Sequence, residues 1–94
     1  KSAIDDYNRA ISLQPTYADA YFQRGIAKSN LGDQRNAIQD CNNAIDLNGK
    51  YAEAYFIRGI IKLALNDPSG CLDLSKSGEL GYTAAYTVIR DFCN

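Results

Sequence analysis

Histidine is missing from this 94-residue chain, and with it goes the commonest general base and metal ligand of proteins. Clustered positive charge is missing too. Ten Lys and Arg stand against eleven Asp and Glu, for a net charge of −1, and the cations are scattered. A nucleic-acid or anionic-membrane surface needs its cations bunched, so neither partner is expected. No apolar run is long enough to cross a bilayer, so membrane insertion is not expected either. There is no Gly-rich phosphate loop: Asn48-Gly49-Lys50 lacks both the upstream glycine and the Ser or Thr after the lysine. Asp5 and Asp6 are neighbours on a helix and do not face each other, so they read as a solvated face rather than a carboxylate dyad. Three cysteines without histidine or further ligands do not make a zinc site, and no C-x-x-C redox spacing occurs. Catalysis, cofactor and metal therefore have nothing to stand on, and the expected chain is a single non-enzymatic domain.

What is present is repetition. Tyr17 to Asp33 reads Y-A-D-A-Y-F-Q-R-G-I-A-K-S-N-L-G-D, and 34 residues later Tyr51 to Asp67 reads Y-A-E-A-Y-F-I-R-G-I-I-K-L-A-L-N-D, identical at eleven of seventeen positions. Ala3 to Leu13 (A-I-D-D-Y-N-R-A-I-S-L) matches Ala37 to Leu47 (A-I-Q-D-C-N-N-A-I-D-L) at the same interval, with seven identities in eleven. After Gly81, Tyr82 to Tyr86 (Y-T-A-A-Y) opens a third version of the first motif. A period of this length is the signature of a stacked helical repeat.

Within the repeats, Ala3, Ile4, Tyr7, Ala10 and Ile11 fall at helical spacing, and Pro15 ends that helix. The pattern then predicts helices from Tyr17 or Ala18 to Asn30, and over about Gln34–Leu47, Ala52–Leu65, Ser69–Leu80 and Thr83–Phe92. Turns fall at Gly32-Asp33, Asn48-Gly49, Asn66-Asp67-Pro68 and Gly81, with Pro68 suited to a first helical position. Six antiparallel helices with short turns and no strand pattern give an all-α solenoid. Its division is 1–16 as the second helix of a truncated repeat, 17–50 as a full repeat, 51–81 as a shortened repeat and 82–94 as a capping helix. A chain that opens in mid-repeat reads as a piece of a longer protein.

Period and residues together resemble the tetratricopeptide repeat. Its aromatic position is filled by Tyr21, Tyr55 and Tyr86, and its glycine by Gly25 and Gly59. The small positions hold Ala3, Ala37 and Gly70, then Ala10, Ala44 and Ser77, and Pro15 stands at its proline. The resemblance covers essentially the whole chain and implies an α-α superhelix, a right-handed solenoid serving as a protein-interaction scaffold. Two positions depart from the family pattern, Arg24 and Arg58 before the glycine and Lys28 and Lys62 after it. Asp6, Asp40 and Asp73 recur on the second helices, so semi-buried bidentate Arg–Asp pairs between helices are expected, with a ligand-binding arginine as the alternative.

The last third, C-L-D-L-S-K-S-G-E-L-G followed by A-Y and a final cysteine, is similar to a C-terminal variant of bacterial proteins of this family. Cys41 takes the stripe position of Tyr7 and Leu74 and reads as an inert buried thiol. Cys71 and Cys93 lie at the far ends of two helices folded back at Leu80-Gly81. Two readings stand: a disulfide that staples the terminal hairpin of an exported protein, or two reduced cysteines in a cytosolic core.

In the family, the first helix of each unit lines the concave face. By position the groove residues are Asp19, Phe22, Gln23, Ile26, Ser29 and Asn30 from the second helix. The fourth helix supplies Glu53, Phe56, Ile57, Ile60, Leu63 and Ala64, and the sixth Ala84, Thr87, Val88 and Asp91. These sites are mostly apolar or acidic, which disfavours a clamp for acidic peptide tails and favours an apolar groove for a peptide or protein segment. Burial by neighbouring helices accounts for much of the fourth helix, but not for Ile57, Leu63 and Ala64 replacing Gln23, Ser29 and Asn30. The alternative function is a structural or self-assembly segment of a larger exported protein. A third reading is assembly: Ile4, Tyr7 and Ile11 on the first helix have a side that the upstream repeat covers in a longer protein, or that a second copy covers here, giving a homodimer.

Overall fold

The computed structural model describes residues 3–93, and among them the chain forms six α-helices and no strand. They are α1 (Ala3–Leu13), α2 (Ala18–Asn30), α3 (Gln34–Leu47), α4 (Ala52–Ala64), α5 (Gly70–Glu79) and α6 (Ala84–Phe92). The fold is an all-α helical repeat. It divides into two compact units, residues 1–49 with α1 to α3 and residues 50–94 with α4 to α6. In the first unit α2 packs chiefly on α3 and more lightly on α1; in the second α4 packs on α5, and α5 on α6.

The turns explain where the helices stop. Gly32, Asn66 and Gly81 each sit just past a helix in the left-handed region, with φ of 87°, 63° and 108°. In all three the next amide closes back on the helix: Asp33 N–H on the Lys28 carbonyl at 2.9 Å, Asp67 on Lys62 at 2.8 Å, Tyr82 on Ser77 at 3.1 Å. Such closure satisfies carbonyls a helix end would otherwise leave open, and it requires a residue tolerant of positive φ. The fifth helix differs from the pattern-based expectation. Pro68 is not its first helical residue but lies in the turn ahead of it, and α5 begins at Gly70. Asp67 sets this start, because its carboxylate accepts the Ser69 N–H at 3.0 Å and its carbonyl accepts the Gly70 N–H at 3.1 Å.

Close helix crossings come from small residues. A β-carbon on Gly25 would stand 3.1 Å from Asp40 Cβ and 3.2 Å from the Ala37 carbonyl oxygen. One on Gly59 would stand 2.8 Å from the Gly70 carbonyl oxygen and 3.0 Å from Leu74 Cγ. Both glycines therefore face an adjoining helix of their own unit, as stacked helix pairs require. Ala37, Cys41 and Ala44 on α3, and Gly70, Leu74 and Ser77 on α5, are the buried stripes opposite.

Candidate functional site

Each unit carries the same buried ion cage. Arg24 donates from Nε to Asp40 Oδ2 at 2.9 Å and from Nη2 to Oδ1 at 2.7 Å, while Lys28 Nζ lies 3.3 Å from Oδ2. Arg58, Asp73 and Lys62 repeat the arrangement at 2.9, 2.7 and 3.3 Å. The sequence pointed to the Arg–Asp pairs but not to the lysines. Their signal was there: each stands four residues after its arginine, one helical turn along the same face. Both guanidiniums also lie over an aromatic ring, Arg24 at 5.6 Å from the Tyr21 centroid and Arg58 at 5.3 Å from that of Tyr55. Arg24 Nη1 donates to Asn8 Oδ1 at 2.9 Å, tying α1 to α2. Hydrogen bonding to Asp40 holds the Arg24 guanidinium above its ordinary range despite the burial that opposes it. The arginines are thus occupied by internal acceptors, and the cages are architecture rather than ligand sites. Asp6, the third member of the acidic series, is exposed on α1.

The concave-face candidates separate by environment. Phe22 is buried, only 7% exposed, and belongs to the packed interior. Gln23, Ile26, Ser29, Phe56, Ile57, Ile60, Leu63 and Val88 are half-buried, whereas Asp19, Asn30, Glu53, Ala64, Ala84, Thr87 and Asp91 are exposed. The Ser29 hydroxyl donates to Gln34 Oε1 at 2.8 Å, and the Phe56 ring meets Tyr82 edge-on with centroids 4.8 Å apart.

Four of these residues come together in the second unit. Ile60, Leu63 and Ala64 from α4 and Val88 from α6, joined by Phe92, line an apolar cleft of about 280 Å³. Phe92 was not among the sequence candidates, because in the register that pairs Tyr86 with Tyr21 and Tyr55 it stands where Ala27 and Ile61 stood, which are not groove positions. It is 71% exposed, the open wall of the cleft. In the first unit Asn30 lines a smaller depression of about 250 Å³ with Ala3, Ile4, Ala27 and Leu31.

In the second unit the structure joins Cys71 to Cys93, the residue after Phe92, in a disulfide with Cα atoms 5.9 Å apart. Cys41 is fully buried on α3 and takes no part in it. Ser77 donates its hydroxyl to the Ala52 carbonyl at 2.8 Å, a buried tie between α5 and the start of α4. No helix of the described chain is long and apolar enough to cross a membrane.

Comparison with known proteins places this geometry. A TPR repeat model matches residues 1–32 and a tetratricopeptide repeat model matches residues 18–51, so between them they reach over more than half of the chain. The chain superposes on the first TPR of Spaghetti (RPAP3) bound to the HSP90 peptide SRMEEVD with a TM-score of 0.90. Identity is 28%, over 96% of this chain and 74% of that one. A crystal structure of MamA matches with a TM-score of 0.80 at 26% identity, over 88% of this chain and 49% of that one. The chain thus spans about half the length of MamA. The TPR2B domain of yeast Sti1, in complex with pHsp70, matches at 0.80 and 22% identity, over 94% and 71%, a likeness of fold alone. No curated protein sequence matches the chain. With the 34-residue period, the glycine crossings and these matches in hand, the chain belongs to the tetratricopeptide repeat family.

Proposed function

We propose that this chain is a protein-interaction module, without catalysis, whose second unit takes the apolar side chains of a peptide or protein segment into the cleft between α4 and α6. The observation that carries this reading is the cleft's lining: Ile60, Leu63, Ala64, Val88 and Phe92, with no charged side chain among them. A cleft of this size accepts one or two aliphatic or aromatic side chains, and burying each is worth about 1.5–3 kcal/mol. The equivalent face of α2, with Asp19, Gln23, Ile26 and Asn30, is the candidate contact surface of the first unit. The Spaghetti repeat binds a peptide rich in acidic residues. Here Asp19, Glu53 and Asp91 are exposed on the corresponding helices and repel such a tail, so an apolar segment is the better ligand.

The test is selection of a binding peptide from a displayed random library, followed by titration of that peptide against the wild type, Ile60→Asp and Val88→Asp. The reading expects at least tenfold weaker binding for both variants, about 1.4 kcal/mol, and weaker binding of SRMEEVD than of the selected peptide. Equal affinity in all three proteins overturns it.

One observation favours a second reading, assembly. None of the α1 residues is buried, so the apolar stripe of Ile4, Tyr7 and Ile11 is only half covered. A second copy laid on it makes a homodimer in which this chain acts as a structural segment. That reading expects sedimentation of a dimer that Ile4→Asp converts to monomer. A Cys71–Cys93 bridge fits an exported protein, since such bonds persist in oxidising compartments.

A further inference from the structure

We infer that the Cys71–Cys93 disulfide is a redox clamp on the cleft between α4 and α6, so that the module binds its segment when oxidised and loosens its grip when reduced. The inference rests on the cleft reading above and concerns the regulation of that same site. It starts from where the bridge is anchored. Cys71 follows Gly70, and a β-carbon on Gly70 would lie 3.0 Å from Leu63 Cγ and 3.1 Å from the Leu63 amide nitrogen. One end of the bridge is therefore anchored on α5 one residue past its close approach to Leu63, a wall of the cleft. Cys93 follows Phe92, the opposite wall. The bridge thus ties the residue next to one wall, Phe92, to the start of α5, which packs against the other, Leu63.

The rest of α6 shows what the tie restrains. This helix has nine residues, too short to persist on its own in water. Its packing within the second unit is concentrated at its N-terminal end. There Ala85 is fully buried, the Tyr86 ring lies against Gly78, and the preceding Tyr82 meets Phe56. From Thr87 to Phe92 every side chain is half-buried or exposed. The last backbone link, Cys93 N–H to the Ile89 carbonyl at 2.9 Å, belongs to the turn that carries Phe92. With the bridge cut, that turn keeps few packing contacts to order it, and Phe92 no longer has a fixed position. Access for a reductant exists, because both cysteines are half-buried rather than sealed. The step is a thiol–disulfide exchange. A dithiol reductant attacks one sulfur as its thiolate, the Sγ–Sγ bond breaks, and a second exchange releases the reductant as its own cyclic disulfide. Two electrons and two protons end on Cys71 and Cys93.

The experiment compares the oxidised protein, the protein in dithiothreitol and the Cys71→Ser/Cys93→Ser variant by two readouts. Amide hydrogen exchange over residues 89–93 reports the clamp, and titration with the display-selected peptide reports the cleft. The inference expects exchange at least tenfold faster and affinity at least fivefold weaker in the reduced protein, and full recovery on reoxidation. The double variant behaves as the reduced protein whether or not dithiothreitol is present. Equal exchange and equal affinity in both redox states overturn the clamp and leave the cleft reading intact. Faster exchange with no peptide binding in either state removes the cleft reading and with it the regulatory role, while the tie on α6 stands.

Discussion

The α2–α3 and α4–α5 hairpins are two solutions to one packing problem, and their differences are more instructive than their sameness. Their polar parts are superimposable in geometry: the same Arg, Asp and Lys at the same distances, over the same aromatic. Their apolar parts are not. Where α3 offers Ala37 to Gly25, α5 offers Gly70 to Gly59, so the two backbones come closer in the second hairpin. Where α3 has Cys41, α5 has the larger Leu74, and both are fully buried. Volume lost at one layer is regained at the next, which is how a close-packed interior tolerates exchange. A charged cage fixed by hydrogen-bond geometry has no such freedom. The repeat therefore varies where shape can be traded and repeats where direction matters.

The largest effect expected from this comparison is at the cage. Arg24→Met leaves Asp40, 2% exposed as a side chain, with Lys28 alone, and should cost about 3–4 kcal/mol in denaturant unfolding. Arg58→Met should cost less, because Asp73 keeps 8% exposure and some water. Equal costs would show that residual solvation does not matter here. The next effect distinguishes the units by covalent bonding. Cys71→Ser/Cys93→Ser opens a loop of 22-residue separation and should lower stability by about 2–3 kcal/mol, confined by hydrogen exchange to residues 50–94. Comparable or smaller is the effect at the crossing. Gly59→Ala drives its new methyl against the Gly70 backbone carbonyl and should cost about 2–3 kcal/mol, while Gly25→Ala meets looser contacts and should cost about 1 kcal/mol. Thermal unfolding of the two variants checks the order, and the reverse order would contradict the closer approach of α4 and α5.

The smallest effect is a pH dependence in the turn before α5. Hydrogen bonds from the Ser69 hydroxyl and amide hold the Asp67 carboxyl below its ordinary 3.8. A carboxyl lowered by folding contributes stability above 3.8 and loses it as pH falls through the folded value. Protection of the Ser69 amide, taken relative to its intrinsic exchange rate at each pH, should therefore fall on acidification below that point. In Asp67→Asn it should not follow the same titration.

Much of this architecture was legible in the residues because periodicity reports it directly. The 34-residue interval located every helix to within a residue or two, and the recurrence of Asp40 and Asp73 against Arg24 and Arg58 announced the pairs. What stayed hidden depends on side-chain reach and on departures from the period. Lys28 and Lys62 became part of the cage only once their flexible stems could be seen curling back to the carboxylates. Gly78 has no glycine counterpart in α3, and its reason is the Tyr86 ring lying against it. Phe92 became a wall of the cleft because α6 is short and ends beside α4. Phe22 illustrates the converse, since an aromatic at a groove position can turn inward and be buried.

The most direct test of the account is methyl chemical-shift mapping of the oxidised chain with the display-selected peptide, with labels on isoleucine, leucine and valine. If the cleft is the binding site, the largest shifts fall on Ile60, Leu63 and Val88, and intermolecular contacts reach the Phe92 ring. Shifts concentrated on Ile4, Ile11 and Leu31, with Ile60 and Val88 unmoved, would contradict it.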